Sequence, residues 1–266
     1  SPAMPDRSLE QWLEEIETRH PSDIDLGLDR VSAVWERLKY DIPLSEAADP
    51  VSIIVAGTNG KGSCVAAMQA LLLGHGHSVG AFTSPHFLHY SERIRIDGVA
   101  VADDKIVLAF ELIESARAEI SLTYFEFNAL AALTIFRQAN LDAVLLEVGL
   151  GGRLDAVNII DADIAILSSV DLDHQDWLGN TRSEIAHEKL GIARAGKPLI
   201  VGETNLPNGF YKMVESIGAE PLYKGKDFSV HDDGPAGQFS VSLSTHDDTL
   251  LISHITHHNL LPGNIT

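Results

Sequence analysis

Residues 57–63 read GTNGKGS, three glycines and a lysine placed directly after an apolar run at residues 51–56 and directly before a helical pattern that includes residues 64–73. Glycines let successive backbone N–H groups turn toward one anion, a helix start adds partial positive charge, and Lys61 adds a full charge. The segment therefore reads as a phosphate-binding loop in which Thr58, Asn59, Gly60, Lys61, Gly62 and Ser63 face a polyphosphate. It departs from the commonest spacing: Val55 holds the place of the first glycine, and Gly62 separates Lys61 from Ser63.

Other polar groups fall at the ends of apolar runs. Residues 79–83 lead into Ser84-Pro85-His86, residues 141–146 into Glu147, and residues 163–169 into Asp171-Leu172-Asp173-His174. Open α/β sheets bind ligands at the carboxyl ends of their strands, so Ser84, Glu147 and His174 are expected to gather beside the loop as a Mg²⁺ site. A carboxylate ending an apolar strand is costly to bury unless a cation compensates it, which favours Glu147 as a ligand. Taken singly, Ser84 also fits a turn, Glu147 a structural pair and His174 a loop cap. The run 147–155, EVGLGGRLD, lacks the third glycine of a dinucleotide fingerprint. Its Arg153 suits holding a carboxylate, orienting Asp155, or a surface ion pair. Phe125 and Phe127 suit core packing and ring stacking equally, and Lys189, on its residues alone, reads as a solvated helix lysine.

The elements that must hold these groups follow from periodicity. Continuous apolar runs at 51–56, 79–84, 141–148, 163–169 and 198–202 alternate with helical patterns near 63–73, 103–118, 123–138 and 183–194. That alternation predicts an α/β fold, a parallel sheet with helices on both faces. Two further helices flank residues 20–28. Polar, alternating text at 227–241 and 249–255 predicts a small β appendage, at about residues 222–260.

With 266 residues, one main domain is expected over residues 4–266, with residues 1–3 set aside as a cloning scar. The 38 Asp and Glu against 19 Lys and Arg, a formal charge of -19, argue against nucleic-acid or anionic-lipid partners and for small molecules. No apolar run approaches the ~20 residues of a membrane span. One cysteine, Cys64, and the lack of a secretory signal predict a cytoplasmic protein, with monomer as the default state.

The motifs GTNGKGS, TSPHF (83–87), SERIRIDG (91–98), SLTYFEF (121–127), LEVGLGGRLDAVN (146–158), DHQDWLG (173–179) and EKLGI (188–192) together resemble the dihydrofolate synthase/folylpolyglutamate synthase family of the Mur ligase superfamily. The resemblance implies a P-loop NTPase-like domain. It also implies that ATP phosphorylates the carboxylate of dihydropteroate or a folate, and that the amine of L-glutamate then attacks the acyl phosphate. It assigns Thr58 to Ser63 and Asn264 to ATP, and Ser84, Glu147 and His174 to Mg²⁺. Lys189 becomes a carbamylated lysine holding a second Mg²⁺, and Lys61, His174 and Lys189 become catalytic. Asp25, Leu26, Gly27, Thr123, Tyr124, Phe125, Glu126, Gly152, Arg153, Leu154 and Asp155 are assigned to the pterin. The family carries a Rossmann-like C-terminal domain that this sequence lacks, so weak nucleotide binding and inefficient turnover are expected of these residues alone. A muramyl-peptide ligase and a nucleotide-binding regulatory module are the alternative readings.

Overall fold

The structure is a computed structural model that describes residues 7–42, 48–234, 238–244 and 249–256, with side chains through residue 230. Residues 1–3 and Asn264 lie outside the described residues.

The central strand is β1 (Val51–Ala56), whose side chains are buried from Ser52 onward. Parallel neighbours cover it on both sides, β5 (Ala143–Glu147) with Val51 opposite Ala143, and β6 (Ile164–Leu167) with Ile53 opposite Ile164. Next to β5 lies β2 (Val79–Phe82), parallel, followed by the antiparallel edge hairpin β3 (Ile94–Ile96) and β4 (Val99–Ala100). Beyond β6 stand β7 (Pro198–Val201) and β8 (Glu220–Tyr223), both parallel. The eight-stranded order is thus β4-β3-β2-β5-β1-β6-β7-β8.

Alternate residues of β1 enter separate cores. Ile53 and Val55 pack with Val65, Cys64, Met68 and Leu72 of α3 (Lys61–Gly74), whereas Ile54 and Ala56 belong to the larger core on the other face. Both faces are therefore apolar, which is why the strand reads as an unbroken run. The larger core is organised by α5 (Tyr124–Gln138), buried at every position from Glu126 to Phe136. Against it lie α1 (Leu9–Arg19), α2 (Asp29–Asp41) and α4 (Asp103–Arg117). Short α6 (Gln175–Leu178) and α7 (Arg182–Leu190) follow β6, and α8 (Phe210–Ile217) links β7 to β8. A separate antiparallel sheet comprises β9 (Phe228–Gly234), β10 (Gln238–Ser244) and β11 (Thr249–Thr256).

The expected α/β sheet is present, with differences at its borders. The helix expected over 183–194 ends at Leu190, where Gly191 takes the cap position. The β3–β4 hairpin, α8 and β8 were not anticipated. The start of α5 is sharply specified: Thr123 Oγ1 accepts the N–H of Glu126, and Glu126 Oε1 accepts that of Thr123, at 3.1 and 2.9 Å. Thr123→Ala is expected to lower stability by about 1 kcal/mol, the worth of such a cap, read as a shift in urea midpoint at constant slope.

Candidate active site

The phosphate loop leaves β1 at Gly57 and enters α3 at Lys61. Gly60 has φ 82°, the left-handed region that glycine tolerates. A Cβ on Gly57 would lie 1.8 Å from Ser168 Oγ, so only glycine fits against β6. The loop is fastened to the segment after β6. Thr58 N–H donates to the Ser169 carbonyl (3.1 Å), Asn59 N–H to Ser169 Oγ (2.9 Å), and Ser168 Oγ–H to the Asn59 carbonyl (2.5 Å). Thr58 Oγ1 accepts the N–H of Asp171 at 2.9 Å. Lys61 Nζ donates to the Gly57 carbonyl at 2.8 Å, which folds its charge back over the loop.

A cavity of about 430 Å³ opens beside the loop, at the carboxyl ends of β1, β5 and β2. Lys61, Ser84, Glu147 and His174 all line it, as expected from the strand ends. Glu147 is 5% exposed and accepts the Ser84 N–H at 3.1 Å. Burial pushes its carboxyl above the ordinary range, while that N–H and the Lys61 charge pull it back. His174 caps α6 in the left-handed region, φ 42°, a conformation that non-glycine residues adopt at a cost and that concentrates at functional sites. The set offers an under-compensated carboxylate, a hydroxyl and an imidazole, which fits a divalent cation. Among the described residues no group of three or more His, Cys, Asp or Glu forms a metal cage, so a cation here would depend on Glu147 with its mixed neighbours.

The same cavity is lined by Asp25, Leu26 and Gly27, by Thr123, Phe125 and Glu126 around the start of α5, and by Leu154 and Asp155. Asp155 is 3% exposed and accepts three backbone N–H groups, from Gly149 and Leu150 at 2.9 Å and Val157 at 3.0 Å. Burial outweighs them and raises its pKa to about 6. Phe125 presses its ring on Gly149, where a Cβ would sit 2.6 Å from it. Phe127 instead joins the core, edge-on to Phe110 at 5.8 Å.

Three pterin candidates are not part of this lining. Tyr124, one helical step from Phe125, turns toward Tyr90 and the Arg93 guanidinium, 5.7 Å from its ring centroid. Gly152 lies against the backbone of α7, where a Cβ would be 2.9 Å from the carbonyl oxygens of Glu188 and Lys189. Arg153 pairs with Glu188 at 3.0 Å, the ion-pair alternative. Lys189 is no solvated lysine: it is 2% exposed, with Nζ 3.2 Å from Asp173 Oδ2. Burial lowers its pKa and Asp173 opposes that. Asp173 Oδ1 is buried without a partner.

Arg93 was not singled out, yet it lines the cavity and donates from Nε to His86 Nδ1 at 2.8 Å. Its signal was the cationic arginine within SERIRIDG. Among the described residues no helix is long and apolar enough to cross a membrane.

No protein-family model matches the chain. It is 43% identical over 252 residues to the dihydrofolate synthase/folylpolyglutamate synthase of Escherichia coli strain K12, covering 95% of this chain and 56% of that protein. The structure of E. coli FolC in complex with DHPP and ADP superposes with a TM-score of 0.84 at 43% identity, over 93% of this chain and 58% of the other. A bifunctional folylpolyglutamate synthase/dihydrofolate synthase with Mn, AMPPNP and L-glutamate bound gives 0.81 at 41% identity, over 94% and 58%. The chain spans about half the length of the relatives it matches. Over the residues that it spans, the chain is homologous to the N-terminal part of the bifunctional dihydrofolate synthase/folylpolyglutamate synthases.

Proposed function

We propose that this chain supplies the nucleotide site and the carboxylate-activating site of an ATP-dependent ligase. The reaction joins the carboxylate of dihydropteroate or a tetrahydrofolate to the amine of L-glutamate, with ADP and phosphate released. One observation carries the reading: a single cavity is lined by the phosphate-loop lysine and Glu147 together with Phe125, Glu126 and Asp155. A flat ring held against Phe125 in this cavity would keep its carboxylate in the same space as Lys61 and Glu147.

In this reading the backbone N–H groups of the loop and Lys61 hold the phosphates of ATP, and Lys61 offsets charge on the transferred phosphoryl group. Ser84, Glu147 and His174 would hold Mg²⁺, which when bound polarises the phosphate oxygens. The substrate carboxylate oxygen attacks the terminal phosphorus and ADP leaves. The amine then attacks the acyl carbon, and phosphate departs with the proton removed by a base. Lys189, buried and biased toward its neutral amine, is suited to carbamylation by CO₂, and the carbamate oxygens would serve a second Mg²⁺. The relatives' additional length is the proposed source of the remaining amino-acid contacts.

Lys61→Ala is expected to weaken AMPPNP binding roughly 10- to 150-fold, the range for losing a hydrogen bond to a charged group, by titration calorimetry with Mg²⁺ present. Dihydropteroate is expected to raise the melting temperature and a UDP-muramyl ligand is not. The reverse pattern would move the assignment to the cell-wall ligases.

A further inference from the structure

Residues 20–28, between α1 and α2, have no regular secondary structure, yet residues 23–27 form part of the cavity wall. Irregular backbone is a soft wall unless other groups hold it. Arg30, in the first turn of α2, is placed to do so. Its Nη2 donates to the Asp25 carbonyl at 2.8 Å, and Nη1 lies 3.1 Å from Asp25 Oδ2. The same Nη2 stands 3.2 and 3.4 Å from the two carboxylate oxygens of Glu126 in the first turn of α5. A second strand of contacts runs parallel: His20 Nε2 is 3.0 Å from Asp25 Oδ2, and His20 Nδ1 is 2.7 Å from Ser121 Oγ.

Two features argue that this arginine is not there for α2 itself. A cation in the first turn opposes the partial positive charge of the helix N-terminus. Its Nε is buried without a partner, so the guanidinium is oriented by what its two terminal nitrogens reach. Glu126 is almost fully buried, and Arg30 supplies its ion pair.

We infer that Arg30 is a positioning residue for ring recognition: by joining Asp25 to Glu126 it holds the 23–27 wall and the start of α5 at one separation before a flat heteroaromatic group enters between them. The identity of that group rests on the function proposed above. The clamp itself does not. A wall ordered in advance spares the ligand the entropy of ordering it, so loosening the clamp weakens ring binding and leaves the phosphate loop untouched.

The test uses the 266-residue chain with Arg30→Met, Arg30→Lys, Glu126→Gln and the Arg30→Met/Glu126→Gln double variant, titrated with dihydropteroate and separately with Mg²⁺ and AMPPNP. Arg30→Met is expected to weaken dihydropteroate by about tenfold or more and AMPPNP by less than about threefold. Arg30→Met is expected to cost little further dihydropteroate affinity in the Glu126→Gln background, because both changes break one clamp. Arg30→Lys is expected to recover little, since one ammonium cannot span the four acceptor oxygens of Asp25 and Glu126. Wild-type affinity in Arg30→Met, or equal loss of both ligands, overturns the inference. Should the wild type bind AMPPNP but not dihydropteroate, the substrate reading fails while the clamp is still decided by amide hydrogen exchange. Faster exchange confined to residues 23–27 in Arg30→Met supports it, and unchanged exchange there refutes it.

Discussion

Glu147→Ala is expected to abolish the enhancement of nucleotide binding by Mg²⁺ while leaving the fold as stable as before, or more so. Changing a group that merely supports a metal ligand typically costs 10- to 100-fold in metal affinity, so losing the carboxylate that heads the site should cost at least about 100-fold. Stability should move the other way. Glu147 ends a buried strand, and burial already disfavours its charge. Removing it relieves that desolvation, at the loss of one hydrogen bond from Ser84. Isothermal titration of AMPPNP with and without Mg²⁺, together with urea unfolding of both proteins, reads the two quantities. A variant that is destabilised yet retains full Mg²⁺ dependence would assign Glu147 to structure.

Asp155 is expected to make folding less favourable as pH rises. Its carboxyl is raised from 3.8 to about 6 in the folded chain. Below pH 4 both states hold the proton. Between about pH 4 and 6 the folded state retains a proton that the unfolded chain has released, so stability falls with pH and the loss is complete above 6. A shift of about two units corresponds to about 3 kcal/mol. The unfolding free energy of Asp155→Asn minus that of the wild type should therefore rise by about 2 kcal/mol from pH 4.5 to 7, the remainder falling below pH 4.5, and a flat difference would contradict it. Dihydropteroate affinity should carry an inflection near pH 6 that the variant lacks.

Several features of this site were legible in the residues because their physics is local. β1 runs over the residues expected, 51–56, since an apolar run ends abruptly at the glycine loop. Other strands end sooner than their apolar runs, at Phe82, Glu147 and Leu167. The residues that follow, Ser84, Val148, Ser168 and Ser169, leave the sheet to line the cavity or fasten the loop. Strand periodicity cannot mark that departure. The surroundings of Lys189 were not legible either, because burial on α7 depends on Asp173 being brought to it from another segment. Tyr124 and Arg153 lie in matched motifs, but a helical step turns one away from the cavity and a tight turn commits the other to Glu188. The β3–β4 hairpin is too short for alternation to show, at three and two residues. α8 was not expected although Phe210, Met213, Val214 and Ile217 keep helical spacing.

The placement of β1 at the middle of the sheet bears on how the protein comes into being. Its partners begin at Ala143 and Ile164, and the serines that fasten Asn59 follow it by 109 and 110 residues. Contacts so distant along the chain form slowly, and during synthesis they wait for their partners to emerge. The glycine loop thus leaves the ribosome early and takes its working shape late. A nascent chain stalled before Ser168 would carry every residue of the loop and none of its fastenings to the segment after β6, so nucleotide capture should report that synthesis has passed β6.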